Sequence, residues 1–229
     1  MRKKGSFLTA AAAAVAAALL CSNTALADRY VPTAEDLKTQ FYLHIPFNQG
    51  PDFMVKELMR DSFYVVTKSP KNIKLKRDVK GGDVYISIDI SKANKVWHVK
   101  YMATKESYHS IEEGKLRFEQ LCKDTADKNY SLFKGPEFAQ DKSLAQELNA
   151  GKVFSCHFLK TATEKDLKAM EEAVAREAPE LMERPGFIEQ LRAEHSFRLS
   201  KHGLSWSLNG NSHMAKVILD LVDYDLMDK

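Results

Sequence analysis

Asp89 and His98 are the residues of this sequence whose types and spacing could support acid–base chemistry. They lie in two runs of alternating apolar and polar residues, one before and one after Ala93-Asn94. If a turn at Ala93-Asn94 joins these runs as antiparallel strands, Asp89 faces His98 across the pair. A carboxylate beside an imidazole can orient the ring and raise its pKa, as a general base or a pH-sensing pair requires. The alternative is a cross-strand charge pair on a solvated face.

A second candidate site is the basic run 68–80, which contains six Lys or Arg residues and one Asp. Alternation along a strand places Lys74 and Lys76 on one face, where with Arg77 and Lys80 they would form a small basic surface. Such a surface could bind an anionic lipid, a polysaccharide or an acidic protein partner. Edge strands also carry lysines whose role is to prevent aggregation.

Other catalytic and metal-binding motifs are incomplete. The segment from Gly203 to Ser207 begins like the GxSxG elbow of esterases, but Ser207 stands where the motif needs its second glycine. The sequence has no HExxH zinc motif and no CxxC pair. It therefore predicts no metal and no other cofactor. A hydrolase site would have to be assembled from distant segments, with Asp89 and His98 as its first candidates.

Both candidate sites depend on strand pairing, which the apolar pattern predicts. A tight turn at Gly81-Gly82 pairs Leu75 with Ile88, and the turn that follows pairs Ile88 with Val99. Both registers bring apolar side chains together on one face of the sheet. A further strand at 63–67 would complete this first meander.

The C-terminal residues predict a second meander. A tight turn at His202-Gly203 pairs Leu199 with Trp206, and the Asn209-Gly210 signal pairs Trp206 with His213. The segment after this second turn continues an alternating apolar face. Because its pattern also suits a helix, the sequence leaves strand or helix open there.

Between the two meanders the apolar period becomes helical. Ser110 and Glu113 form a capping box at the start of one helix, Pro136 opens a second, and Thr163 begins a third. A short strand around Cys156 lies between the second and third helices. Strands, then helices, then strands predict an α+β fold, in which an antiparallel sheet of two meanders carries helices packed on one face.

Residues 1–27 have the three parts of an export signal: basic residues at 2–4, an apolar run at 7–20 and the small-residue site Ala25-Leu26-Ala27. The apolar run is too short to cross a hydrocarbon core about 30 Å thick. We therefore expect a cleaved signal peptide, followed by a single domain at 28–229 in the periplasm or outside the cell. The alternative is lipoprotein processing at Cys21, against which the bulky Leu20 argues.

Removal of the leader would leave 31 basic and 31 acidic residues, since the leader holds three of the 34 Lys and Arg residues and none of the 31 Asp and Glu residues. A chain without excess positive charge is a poor general nucleic-acid binder, so we expect no nucleic-acid partner. Cys122 and Cys156 would then be the only cysteines, and in an oxidising compartment such a pair usually bonds. Two free buried thiols are the alternative.

These observations predict an exported, disulfide-bonded binding or envelope-interaction protein without catalytic activity. One alternative is the hydrolase described above. Another is a carrier of a small apolar ligand, because a sheet capped by helices can leave a cavity. The residues that could line such a cavity are Phe187, Ile188, Leu191, Trp206 and Met214. Oligomeric state is not predicted.

Overall fold

The computed structural model describes residues 30–80, 82–104, 108–126, 128–138 and 142–227. They form an α+β domain, as predicted, in which helices cover one face of an antiparallel sheet. The predicted leader at 1–27 lies outside the described residues. No helix within the described ranges is long and apolar enough to cross a membrane.

The main sheet contains nine strands within the described part of the chain. Eight of them follow the order β3-β4-β5-β6-β11-β10-β9-β8, and β7 pairs with the start of β11. A separate two-stranded sheet is formed by β1 and β2. The bounds are β1 Phe41–Tyr42, β2 Ile45–Pro46, β3 Tyr64–Lys68, β4 Asn72–Val79, β5 Gly82–Ile90, β6 Val96–Ala103, β7 Tyr108–His109, β8 Tyr130–Lys134, β9 Phe154–Lys160, β10 His202–Gly210 and β11 Ala215–Asp223.

Eight α-helices accompany these strands in the described ranges, and a short 3-10 turn covers Phe47–Gln49. The bounds are α1 Ala34–Leu37, α2 Pro51–Arg60, α3 Ile111–Ala126, α4 Leu144–Asn149, α5 Glu164–Glu177, α6 Pro179–Met182, α7 Phe187–Leu199 and α8 Tyr224–Met227.

Three hairpins form the first meander, and the strand predicted at 63–67 is present as β3, which pairs with β4. The hairpin of β4 and β5 differs from prediction. Leu75 lies opposite Ile86 and not opposite Ile88, because Gly82 already belongs to β5 and the turn falls one residue earlier. The shift is two residues, so the apolar side chains still share a face. In the hairpin of β5 and β6, Ile88 lies opposite Val99 as predicted.

The predicted second meander is a two-stranded hairpin. Trp206 lies opposite Leu219 and not opposite His213, because Asn209-Gly210 stays within β10. The turn follows it, where the Asn211 side chain accepts hydrogen bonds from the backbone N–H groups of His213 and Met214, both at 2.9 Å. Local side-chain capping therefore outweighs the Asn-Gly signal.

The strand predicted before the His202-Gly203 turn, which would contain Leu199, is instead the end of helix α7. Leu191, His195 and Leu199 are its buried residues, at intervals of four. This spacing is the helical period, so the sequence did contain the signal. The segment after the hairpin turn is a strand, β11, and its alternate residues Ala215, Val217, Leu219 and Leu221 are buried.

Capping residues set the helix starts. Ser110 and Glu113 form the predicted capping interaction before α3, and Thr163 caps α5. Helix α4, which was predicted to begin at Pro136, is shorter than predicted because it begins after the cap Ser143. The largest apolar core lies between the helices and the sheet face that carries Trp206.

Candidate functional site

The structure brings Asp89 and His98 together as predicted and adds a third residue. Asp89 Oδ2 lies 2.6 Å from His98 Nδ1, and Asp220 Oδ1 lies 2.9 Å from His98 Nε2. Asp220 belongs to β11, which pairs with β6 although 122 residues separate it from His98. Local sequence patterns do not specify such a long-range pairing, so this second carboxylate was missed. The three residues are called the carboxylate–histidine triad below.

The two carboxylates of the triad determine the charge of the imidazole. Burial alone would lower the pKa of His98, but the hydrogen bonds to Asp220 and Asp89 outweigh it and raise that pKa to about 9. At neutral pH the ring is therefore an imidazolium that donates both N–H groups. It has no lone pair with which to accept a proton, so it cannot act as a general base.

The neighbours of the triad complete a hydrogen-bonded surface. Asn72 donates to Asp89 Oδ1 at 2.6 Å and to the Ser87 hydroxyl at 2.8 Å. The Ser207 hydroxyl donates to Asp220 at 3.5 Å rather than to His98. No serine is thus paired with the imidazole within the described hydrogen bonds. The arrangement fits a charged network that joins strands, rather than a nucleophile and its base.

Lys74 and Lys76 share one face of β4, and their surroundings differ. Lys74 is exposed. Lys76 forms ion pairs with Asp78 at 2.8 Å and with Asp83 at 3.0 Å. These acidic partners offset its charge, so Lys76 adds little to a basic surface.

Arg77 and Lys80 do not join those lysines on one surface. Arg77 is on the opposite face of β4, where its guanidinium packs over the Phe63 ring at 4.7 Å from the centroid. It also donates to the backbone carbonyl of Asp61 at 3.3 Å. Lys80 is exposed in the turn beyond β4. The four predicted binding residues are therefore divided between two faces and a turn.

A cavity of about 690 Å³ lies on the other face of the sheet, beneath the helices. Its walls come from the N-terminal segment, the helices α3, α5 and α7, and the strands β1, β8, β9, β10 and β11. Most of the wall is apolar. Buried or partly buried apolar residues that line it include Leu121, Leu199, Leu204, Trp206 and Leu221.

Polar side chains, some of them charged, also line the cavity. The Trp206 indole N–H donates to the Thr125 hydroxyl at 2.8 Å, and that hydroxyl donates to the Leu121 carbonyl at 2.8 Å. His195 and His202 are both nearly fully buried. Burial lowers the pKa of each, for His202 to about 3, so both rings are neutral at pH 7.

The N-terminal segment forms one side of the cavity. Tyr30 and Leu37 line it, and Asp36 fixes the segment. The Asp36 carboxylate, which is fully buried, accepts hydrogen bonds from the Tyr30 hydroxyl, from Thr33 and from Gln49. Two of these partners, Tyr30 and Thr33, lie within six residues of Asp36, so their hydrogen bonds stabilise the local conformation of the segment.

The Cys122 and Cys156 sulfurs lie at disulfide distance, with Cα atoms 6.2 Å apart. They connect α3 to β9. Cys122 follows the cavity residue Leu121, and Cys156 lies opposite Trp206 in the sheet. A disulfide between these sulfurs would hold the α3 wall of the cavity against the strands that form its floor.

Of the residues predicted to line a cavity, the structure places only Trp206 there. Phe187 and Leu191 pack in a second, smaller apolar cluster with Met170. The others, Ile188 and Met214, are exposed. The prediction placed these side chains on helices that cover the sheet, but the pattern of apolar residues did not specify which helix residues face the cavity.

Within the described ranges, no three His, Cys, Asp or Glu side chains are arranged to hold a metal ion. Comparison of the chain with family models, curated proteins and solved structures gave no match. The physical features of the cavity and of the triad are thus the basis for any functional argument.

Proposed function

We propose that this protein is an exported, disulfide-bonded binding protein that holds a small, mostly apolar ligand in the cavity beneath its helices. The observation that carries the proposal is the cavity itself. Its volume of about 690 Å³ falls within the range of ligand sites, and apolar walls with a few polar groups are typical of them.

The compartment is part of the proposal. Residues 1–27 have the pattern of an export signal. A disulfide between Cys122 and Cys156 would persist in the periplasm or outside the cell. A carrier that works in water needs an apolar interior, which the cavity offers to molecules of low solubility.

Catalysis is not part of the proposal. The imidazole of His98, the first candidate base, is held between Asp89 and Asp220 with both nitrogens occupied. Attachment to anionic surfaces through lysines also has less support than the cavity, since Lys76 is paired with Asp78 and Asp83.

Titration of the mature chain with N-phenyl-1-naphthylamine, an uncharged fluorescent probe, tests the proposal. Binding in the cavity should be saturable and should quench Trp206 by energy transfer. Substitution of Trp206 by Phe should remove most of this transfer, whereas substitution of Trp97, the other tryptophan, should not. A signal without saturation would contradict the proposal.

A variant that fills the cavity provides the second arm. Ala169 lines the cavity on α5, so Ala169→Phe should weaken probe binding by about tenfold or more. Lys168→Phe adds the same side chain at an exposed neighbouring position and should leave binding unchanged. Equal affinity of the two variants would place the probe elsewhere.

A further inference from the structure

Charged side chains line one part of the cavity wall, and lysines outnumber aspartates among them. The charged residues of the lining are Lys128, Lys160, Lys165, Asp124 and Asp166. They come from the end of α3, the residues just after it, the end of β9 and the start of α5. The N-terminal segment and the strands β1, β10 and β11 contribute only uncharged side chains and histidines to the lining.

Strand pairing and an ion pair hold the three lysines near one another. Tyr130, at the start of β8, lies opposite Lys160 on β9, and Lys128 precedes Tyr130 by two residues. The Lys160 ammonium donates to Asp166 Oδ1 at 3.0 Å, and Lys165 is the residue before Asp166 on α5. We call Lys128, Lys160 and Lys165 the basic rim. It is open to water, because Lys165 is exposed and the other two lysines are partly exposed.

The charges of the rim are only partly balanced by the aspartates. Asp166 is paired with Lys160. The Asp124 carboxylate accepts a hydrogen bond at 2.6 Å from a glutamine one turn earlier in α3. Among the described residues, neither Lys128 nor Lys165 has an ion-pair partner. Three lysines against two aspartates leave an excess of one positive charge along the lining.

The positive charge also acts on the interior of the cavity. Burial is the largest cause of the lowered pKa of His195 and of His202, and the Lys160 charge is the next largest for both. Asp166 acts in the opposite direction and more weakly, so the pair as a whole presents a positive potential to the interior. A histidine is neutral or positive, so His44, which also lines the cavity, does not offset this potential.

We infer that the ligand is an amphipathic anion of the fatty-acid type, whose alkyl chain lies against the apolar walls and whose carboxylate lies at the basic rim. The inference rests on the proposed function of the cavity. Because the rim is open to water, the carboxylate keeps part of its hydration and no charge has to be buried. An alcohol of the same length would fill the apolar part without pairing with the lysines, and a cationic head group would be repelled.

Three probes with the same alkyl chain test the inference: decanoate, 1-decanol and decyltrimethylammonium. Their affinities for the mature chain can be measured at about pH 8, where the carboxyl group is ionised, by displacement of N-phenyl-1-naphthylamine below the concentrations at which micelles form. Decanoate should bind about tenfold more tightly than the cation. Sodium chloride at about 0.5 M should weaken the binding of decanoate about threefold and should not weaken that of 1-decanol, because salt screens only the charged contact.

Two double variants with the same change of charge assign the preference to the rim. Lys128→Gln/Lys165→Gln should weaken the binding of decanoate about threefold or more. Its affinity for 1-decanol should stay unchanged, which also shows that the variant is folded. Lys123→Gln/Lys168→Gln is the matched control, because these two lysines are exposed on α3 and α5 and do not line the cavity. The control should bind all three probes as the unsubstituted chain does.

The outcomes separate this inference from the function on which it rests. If decanoate and the cation bind the unsubstituted chain equally, the inference of an anionic ligand is overturned and the binding function stands. If the two double variants weaken decanoate binding to the same extent, or neither does, the assignment to the basic rim is overturned. If none of the three probes binds and N-phenyl-1-naphthylamine does not bind either, the proposed function itself fails.

Discussion

The imidazole of His98 shows how two opposing effects determine a charge state. Burial disfavours the cation, whereas Asp89 and Asp220 each accept a hydrogen bond from it. The effect of the two carboxylates on the pKa is larger than that of burial. The triad is therefore a charged link between β5, β6 and β11. Such a link stabilises the fold only while the imidazole stays protonated.

Stability should therefore depend on pH through His98. Because its pKa rises from 6.5 in the unfolded chain to about 9 in the fold, its contribution is complete below about pH 6.5. That contribution is lost as the pH rises through 9. Urea unfolding between pH 6 and pH 10 should show a decrease on the order of 2 kcal/mol in the free energy of unfolding.

A His98→Gln variant should lack most of this decrease and should be less stable at pH 6. The same slope in the variant as in the unsubstituted chain would show that another group titrates. Asp89 titrates in a different range, because its lowered pKa affects stability only under acidic conditions.

The Thr125 hydroxyl links the indole of Trp206 to the backbone of α3. Thr125→Val keeps the shape but removes the acceptor for the buried indole N–H. The expected loss is about 1–3 kcal/mol of unfolding free energy. Thr125→Ser retains the hydroxyl and should lose less, so equal losses in the two variants would contradict this role.

Helix α3 packs closely on β11 because Gly114 has no side chain. A Cβ atom at Gly114 would lie 2.4 Å from the Cβ of Ala215. Two Cβ atoms in a folded protein do not come this close. Gly114→Ala should therefore destabilise the fold by about 1–3 kcal/mol, although alanine favours a helix.

The Ala215→Gly change removes the opposing atom and supplies the control for that contact. In the double variant, most of the loss caused by Gly114→Ala should be recovered. Urea unfolding of the two single variants and the double variant measures this coupling. Additive losses would mean that α3 and β11 do not meet at these residues.

The sequence predicted the elements that depend on local patterns. The Asp89–His98 register follows from a hairpin of neighbouring strands, and the caps at Ser110 and Thr163 identified two helix starts. The prediction of the turn after β10 was wrong, because the Asn211 side chain caps a turn that is longer and falls later in the sequence. A capping interaction of this kind is not evident in a pattern of apolar residues.

The parts of the candidate sites that escaped prediction are made of distant segments. Asp220 reaches His98 through the pairing of β6 with β11, which the alternating pattern of either strand allows but does not specify. The cavity joins the segment around Tyr30 to α7 and to β10. Its walls could not be assigned until the order of strands in the sheet was known.

The export proposal has a direct consequence for the covalent structure. Protein recovered from the periplasm or the culture medium should begin at Asp28, have no free thiol without reductant and lose about 2–4 kcal/mol of stability in a Cys122→Ser/Cys156→Ser variant. Intact-mass measurement with alkylation checks the first two points, and urea unfolding checks the third. Two alkylated cysteines in the exported protein would contradict the proposal.

The two faces of the sheet divide the possible functions between them. One face carries the triad and the lysines of β4, and its charges are largely paired with one another. The other face, with the helices, borders the cavity. If the protein binds a small apolar ligand, the contacts should be confined to the helical side of the sheet.

Mapping of a bound ligand by heteronuclear NMR is the most direct test of the claim that the ligand binds on the helical side of the sheet. Addition of N-phenyl-1-naphthylamine to the ¹⁵N-labelled mature chain should shift the backbone amide signals of Leu199, Leu204 and Thr125, together with the indole signal of Trp206. The amides of Ser87 and Lys100, on the other face, should not move. Shifts confined to the triad face, or none at saturating ligand, would contradict the account.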